Sequence, residues 1–254
     1  MSVLSEILSH PLTRGLSVDD PRATILRRKI IQDKAFLRRL YVEWYEKIVG
    51  ALPCRTEILE LGSGAGFLPE LLPGVISSEI FPVPGVALVA DGCALPFSDG
   101  SLNAVVMTDV FHHIPDVVRF LAEVTRCVRP GGKLVMIEPW RTRWSEWVYQ
   151  KLHSEPFYPN GEWKFSGTGP LSGANGALPW IVFDRDRKRF EEQFPKWQIR
   201  KIEPMMPFCY LLSGGVSMRS LLPGWMYCPV RTFERFFDQK KWAMFAFIEL
   251  ERRS

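Results

Sequence analysis

The sequence predicts an α/β domain with helices on both faces of a mostly parallel, doubly wound sheet. Two observations carry that expectation. The apolar run Ile58-Leu59-Glu60-Leu61 breaks into the glycine-rich turn Gly62-Ser63-Gly64-Ala65-Gly66, and further short apolar runs then follow, each closing on an acidic residue. A strand that ends in such a turn opens a ligand crevice at the carboxyl edge of a sheet. Glycines there take positive φ and let a ligand lie against the backbone, and a helix starting near Phe67 would aim its free N–H groups at it.

The other elements follow in chain order. Residues 75–80 read as a strand ending at Glu79, residues 87–91 as a strand ending at Asp91, and residues 101–109 as a strand ending at Asp109. Residues 117–127 have helical spacing, Arg129-Pro130-Gly131-Gly132-Lys133 makes a tight turn, and residues 134–138 form a fifth strand ending at Glu138. An amphipathic helix over 184–194, a sixth strand over 197–203 and a seventh over 242–251 complete the pattern. Between Glu79 and the third strand stands only Phe81-Pro82-Val83-Pro84-Gly85, where two prolines exclude a regular helix. That side of the crevice is therefore open or covered by another segment.

The glycine spacing separates two ligand classes. A dinucleotide loop would place its third glycine at 67, where this chain has Phe67, with Gly66 one position earlier. With Glu60 before it, the run resembles motif I of the class I S-adenosylmethionine-dependent methyltransferases. Asp91-Gly92-Cys93-Ala94-Leu95-Pro96-Phe97, Val110-Phe111-His112-His113-Ile114 and Val128-Arg129-Pro130-Gly131-Gly132-Lys133-Leu134 extend the likeness. As a set they resemble the methyltransferase type 11 group, which includes ubiquinone and menaquinone biosynthesis methyltransferases, over roughly residues 55–140. The resemblance implies a Rossmann-like seven-stranded sheet whose last strand runs antiparallel beside the fifth, and S-adenosylmethionine as cofactor. Glu79 would then accept hydrogen bonds from the ribose hydroxyls and Asp91 would meet the adenine amino group. Asp109 and Glu138, at strand ends, would orient the acceptor or hold the methionine amino group. The cofactor set implied is Glu60, Gly62, Ser63, Gly64, Gly66, Glu79, Ile80, Asp91, Gly92, Cys93, Thr108 and Asp109.

Composition narrows the class further. The 254 residues are 46% hydrophobic and 24% charged, which suits a globular enzyme of one α/β core with additions. A net charge of +4 allows contact with anionic surfaces but lacks the dense basic stripe that nucleic acid requires. The five cysteines are scattered with no C-x-x-C pair, so neither a disulfide framework nor a metal site is expected, and a reducing cytoplasm fits. No leader and no apolar run of about 18 residues is found, so secretion and membrane spanning are not expected.

The flanks distinguish this chain from a minimal domain. Residues 1–50 form an N-terminal helical extension or lid, with helical spacing over 20–49 starting at Asp20-Pro21, and residues 51–254 form the methyltransferase domain. Residues 140–182 hold nine aromatics from Trp140 to Trp180 and read as an acceptor-site cover, and the apolar insertion 205–237 as a second wall or extra core. His112, His113 and His153, the last beside Glu155, are the candidates for taking a proton from the acceptor. The aromatics and the flanking Arg219 and Arg231 suggest a small apolar or amphipathic acceptor and peripheral membrane contact. A protein that binds S-adenosylmethionine without turnover is the alternative, and a dinucleotide-dependent oxidoreductase is disfavoured by the glycine spacing.

Overall fold

Strands β1 (Ile58–Leu61), β2 (Ile76–Glu79), β3 (Leu88–Val89), β4 (Leu102–Thr108), β5 (Val128–Pro139), β6 (Trp197–Met205) and β7 (Phe245–Arg252) form one sheet. Their order is β3-β2-β1-β4-β5-β7-β6. The structure is a computed structural model that describes residues 11–12, 16, 19–153, 155–166, 169 and 173–253. β1 to β5 pair in parallel, while β7 runs antiparallel between β5 and β6. The strand order reverses between β1 and β4, and that switch point is where a crevice must open. Residues Ala104, Val105, Val106 and Met107 of β4 are all buried, as a strand covered on both faces requires. The predicted turn at 129–132 is a bulge within β5, since Leu102 pairs with Val128 but Ala104 pairs with Lys133.

One expected element is missing. After the glycine turn there is no regular helix but a single 3-10 turn, Leu68–Glu70. Pro69 sits inside that turn and Pro73 follows within four residues, so no uninterrupted run of backbone donors is left to build a helix. The Phe67 N–H, expected to face a ligand, is instead bonded to the Tyr45 hydroxyl at 3.3 Å.

The N-terminal helices contribute Thr24, Arg27, Tyr41 and Tyr45 to the lining of the crevice. Asp20 caps α1 (Pro21–Asp33) by accepting from the Arg22 N–H, as the Asp-Pro start predicts. The helical region expected over 20–49 is in fact two helices, because the chain leaves helical geometry at Lys34 before α2 (Ala35–Ala51). Lys34 donates to the Gly215 and Met218 carbonyls at 2.6 and 2.9 Å, and burial pulls its pKa down to about 8. α2 buries Phe36, Leu37, Leu40, Tyr41, Trp44, Tyr45 and Ile48, so its apolar stripe is core. Of the basic residues on these helices, Lys29, Arg38 and Arg39 are solvated, whereas Arg28 donates to the Gly64 and Pro84 carbonyls. That bridge closes the side of the crevice where the sequence has no helix.

The remaining α-helices of five or more residues among the described residues are α3 (Val117–Cys127), α4 (Arg143–Leu152), α5 (Arg187–Gln193), α6 (Cys209–Ser213) and α7 (Tyr227–Glu234). The aromatics of 140–182 do not all form a cover: Trp163 is buried away from the crevice, bonded to Asp186 and overlaid by Arg189. Arg231, expected to be free for anionic headgroups, is held by Glu43 of α2 and by Glu234. Glu234, fully buried, also accepts from the Phe208 and Cys209 N–H groups, so this network pins 205–237 to the N-terminal helices. All five cysteines are free thiols.

Trp44 is the packing centre of this union. It stacks on Tyr210 at 5.9 Å, meets Phe245 of β7 at 4.9 Å, and donates its indole N–H to the Met206 sulfur. We predict that Trp44→Ala lowers unfolding free energy by about 3–5 kcal/mol in urea denaturation, the cost of emptying a buried indole site.

Candidate active site

The crevice lies where the sheet predicts, above the carboxyl ends of β1, β2 and β4. Its wall includes Glu60, Gly62, Ser63, Gly64, Gly66, Glu79, Ile80, Asp91, Gly92, Thr108 and Asp109, eleven of the twelve expected cofactor positions. Cys93 is the exception. Its side chain is buried against the Asp116 carbonyl, and its N–H is taken by Asp91 Oδ1 at 2.8 Å.

The glycine turn is shaped by its own constraints. Gly62 has φ +65° and Gly64 has φ +25°, and a Cβ on Gly64 would come within 2.9 Å of the Glu79 carboxylate. Ser63 holds the turn to β2: its N–H donates to the Ser78 carbonyl and its hydroxyl accepts from the Ser78 N–H. Glu60 and Glu79 therefore face the same cleft from neighbouring strands. Glu60 is buried, and its Oε2 has no hydrogen-bond partner among the described residues. Burial pushes its pKa up to about 7 and also raises that of Glu79. A buried carboxylate oxygen left without a donor is suited to a cationic group supplied from outside the chain.

The turn after β4 builds the other wall. Asp109 adopts φ +61°, reversing the chain so that Phe111–His113 forms one 3-10 turn. Glu138, at the end of β5 and fully buried, accepts from the Val110 and Phe111 N–H groups at 2.8 and 2.7 Å and from His112 Nδ1 at 2.9 Å. His112 Nε2 lies 3.4 Å from Glu155. Burial would lower the His112 pKa, but the bonds to Glu138 and Glu155 outweigh it and hold the imidazole well above its ordinary value.

The three predicted histidines separate. His113 and His153 line the cleft, whereas His112 lies behind its wall, bonded at both ring nitrogens to carboxylates. Burial and the neighbouring His112 push His113 down to about 4, and burial also lowers His153, so both are neutral at pH 7. Asp109, also on the cleft, is pushed up to about 7 by burial.

Also on the wall are Tyr210 from α6, inside the apolar insertion expected to form a second wall, Arg27 from α1 and Tyr41 from α2, and the residues Thr24 and Tyr45, which sequence reasoning did not single out. Their helical spacing announced packing, and nothing in it distinguished the ring edges that reach the cleft. Two small voids, of about 10 and 30 Å³, share His153 and Tyr210 with the cleft and are bordered by Tyr149. Tyr149 and Phe157 are the aromatics of the 140–182 segment that reach these spaces. No tryptophan lines them.

Comparison with known proteins agrees with this geometry. Residues 59–136 match the family model described as "Methyltransferase domain". A demethylmenaquinone methyltransferase of Renibacterium salmoninarum is 35% identical over 136 residues, covering 45% of this chain and 55% of that protein. The chain spans about half the length of the curated relatives it matches. Among solved structures, the methyltransferase partner of the Haloferax volcanii Trm112 activator superposes with a TM-score of 0.54 at 14% identity, covering 94% of this chain and 98% of that one. The geranyl diphosphate C-methyltransferase of Streptomyces coelicolor gives 0.51 at 13% identity, covering 96% and 91%. These two likenesses concern the fold. Residues 59–136 thus match a methyltransferase domain, and the chain as a whole shares the fold of these two solved structures.

Proposed function

We propose that the chain transfers the methyl group of S-adenosylmethionine to a small, apolar or amphipathic acceptor. The observation that carries this is the unpartnered, buried oxygen of Glu60 at the foot of the glycine turn, with Glu79 and Asp91 following at successive strand ends along one wall. When bound, the cofactor supplies a methyl group already made electrophilic by its sulfonium charge. The chain's residues bind and align: Glu60 meets the cationic ammonium, Glu79 the ribose hydroxyls and Asp91 the adenine amino group. Tyr41, Tyr45 and Tyr210 narrow the cleft and exclude water. Alignment of this kind contributes up to about 7–11 kcal/mol where the geometry is right.

Where the acceptor must lose a proton, Asp109, His113 and His153 border the cleft and can receive it. His112 is a positioning residue. Its two carboxylate partners fix the turn that presents His113.

The relatives that act on demethylmenaquinone support an apolar acceptor, and so does the surface. Phe233, Phe237, Trp242, Trp144 and Trp147 run ring to ring at 5.0–5.7 Å, with Phe233, Trp242 and Trp147 exposed. Phe236, Trp225 and Leu221 are exposed in the same stretch of chain, as are Arg219, Arg235, Lys240 and Lys241. Aromatic rings flanked by cations suit the headgroup boundary of an anionic membrane. No helix among the described residues is long and apolar enough to cross a membrane, so the contact proposed is peripheral.

Three measurements test this. Calorimetric titration should show binding of S-adenosylhomocysteine and none of NAD, and Asp91→Ala should weaken binding by about 1 kcal/mol, or roughly fivefold. NAD binding without the sulfur nucleoside would overturn the reading.

The second concerns Glu60, whose raised pKa means the folded, ligand-free protein holds a proton that the unfolded chain releases. That contribution to stability is present below the ordinary carboxylate value of 4.5 and is lost as pH rises through about 7. Glu60→Gln should therefore change the unfolding midpoint little at pH 5 and raise it at pH 8, while S-adenosylhomocysteine affinity, which rises with pH in the parent, becomes flat.

The third is flotation with liposomes containing anionic lipid at low salt. The parent should float with the vesicles. Trp147→Ser combined with Phe236→Ser should stay in the pellet fraction.

A further inference from the structure

The scattered cysteines predict no metal, but histidines and carboxylates cluster at the wall of the cleft after β4. We propose that His112, His113 and Glu155 form a binding site for a divalent transition-metal ion. One donor atom from each of the three lies within 4.8 Å of the other two. His112 Nδ1 faces Glu138 at 2.9 Å, and with that nitrogen donating, an ion that displaces the Nε2 proton meets a lone pair there. Nε2 in turn faces Glu155 Oε2 at 3.4 Å. Two electron-rich atoms facing each other at that distance require a proton or a cation between them. The separation is close to the ~3.3 Å edge of a tetrahedron whose metal bonds are about 2.0–2.1 Å long.

The tautomers are set from outside. His113 Nδ1 lies 3.2 Å from the Gly173 carbonyl, which can only accept, so Nδ1 donates and Nε2 keeps a lone pair. The rings of His112 and His113 are 4.2 Å apart, so both reach one small volume. Behind His112 stands Glu138, fully buried and fixed by two backbone N–H groups. A carboxylate on the far nitrogen of a ligating histidine is the partner that orients such a ligand and raises its basicity. Asp109, 3.9 Å from His112, adds negative charge beside the set. Two imidazoles and a carboxylate select zinc-like ions over magnesium or calcium, and three protein ligands leave a fourth position open. His113 and Glu155 line the cleft, so that position faces the cleft.

Bound there, an ion would hold an acceptor oxygen and make its proton easier to lose, and with His113 ligating, Asp109 and His153 are the groups left to receive that proton. That role rests on the methyl-transfer reading above. The binding of the ion does not.

The test uses the full chain, stripped with EDTA and titrated with Zn²⁺ against a chromophoric chelator, with Co²⁺ as a second probe for its visible absorption. One Zn²⁺ per chain is expected. His113→Ala and Glu155→Gln should each weaken binding at least about tenfold, and Glu138→Gln about 10–100-fold through loss of His112 orientation. The thermal midpoint of each ion-free variant identifies those that fold, and Glu155→Gln, at a half-buried position, keeps the test decisive if a histidine variant does not. The absence of one-to-one binding, or affinity unchanged in the folded variants, overturns the proposal. So does nuclear magnetic resonance showing both His112 nitrogens protonated at saturating Zn²⁺, which would make a proton the occupant of the gap. S-adenosylhomocysteine affinity measured on the same samples separates the two readings: Zn²⁺ binding without it leaves the ion site standing alone, and the reverse removes only the ion.

Discussion

The carboxylate of Glu138 is the contact on which the site depends. It sits at the end of β5, out of water, and receives two backbone N–H groups and one imidazole from the turn that follows β4. A strand end on one side of the sheet thereby fixes the loop on its neighbour. Without that carboxylate two buried donors, the Phe111 N–H and the His112 ring, would lose their acceptor at a cost of about 1–3 kcal/mol each, and the half-buried Val110 N–H would lose its own. The placement of His112 behind the wall and of His113 upon it follows from this one anchor.

A second constraint is charge. Glu60, Glu79, Asp91, Asp109 and Glu155 all border the cleft, with Arg27 the cationic side chain of its wall. Burial raises Glu60, Glu79 and Asp109 because ionised carboxylates in poor contact with water repel and lack solvation. The chain tolerates this cost where a ligand of opposite charge would remove it. A cationic cofactor fits that electrostatic demand, whereas a dinucleotide with its two phosphates would add to the negative charge.

Much of this was legible in the sequence because strands covered on both faces advertise themselves as short apolar runs, and acids at their ends have little reason to sit there except to reach a crevice. Glu60, Glu79, Asp91 and Asp109 were readable in this way. The missing helix after the glycine turn was not, since Pro69 also suits the first turn of a helix and only its partnership with Pro73 ends one. Lys34 was equally opaque: nothing in a lysine between two helical stretches indicates that two carbonyls some 180 residues away will capture it. The aromatic segment 140–182 misled by composition. Its tryptophans were read as one wall, but burial sorted them to different faces of the molecule, and a tyrosine and a phenylalanine reached the voids instead.

The dependence of α2 on distant parts of the chain bears on how the protein is made. Trp44 meets Met206 across 162 residues, and Glu43 meets Tyr227 and Arg231 across 184 and 188. During synthesis this helix leaves the ribosome with its apolar face bare and must wait for nearly the whole remaining chain before its partners appear. At typical elongation rates of about 5–20 residues per second, that interval is on the order of ten seconds or more. For that time Phe36, Leu40, Trp44 and Ile48 form an exposed adhesive strip, so the exposure to misassociation during synthesis lies at the amino-terminal end rather than in the glycine-loop core, whose strands β1, β2 and β4 pair over short spans.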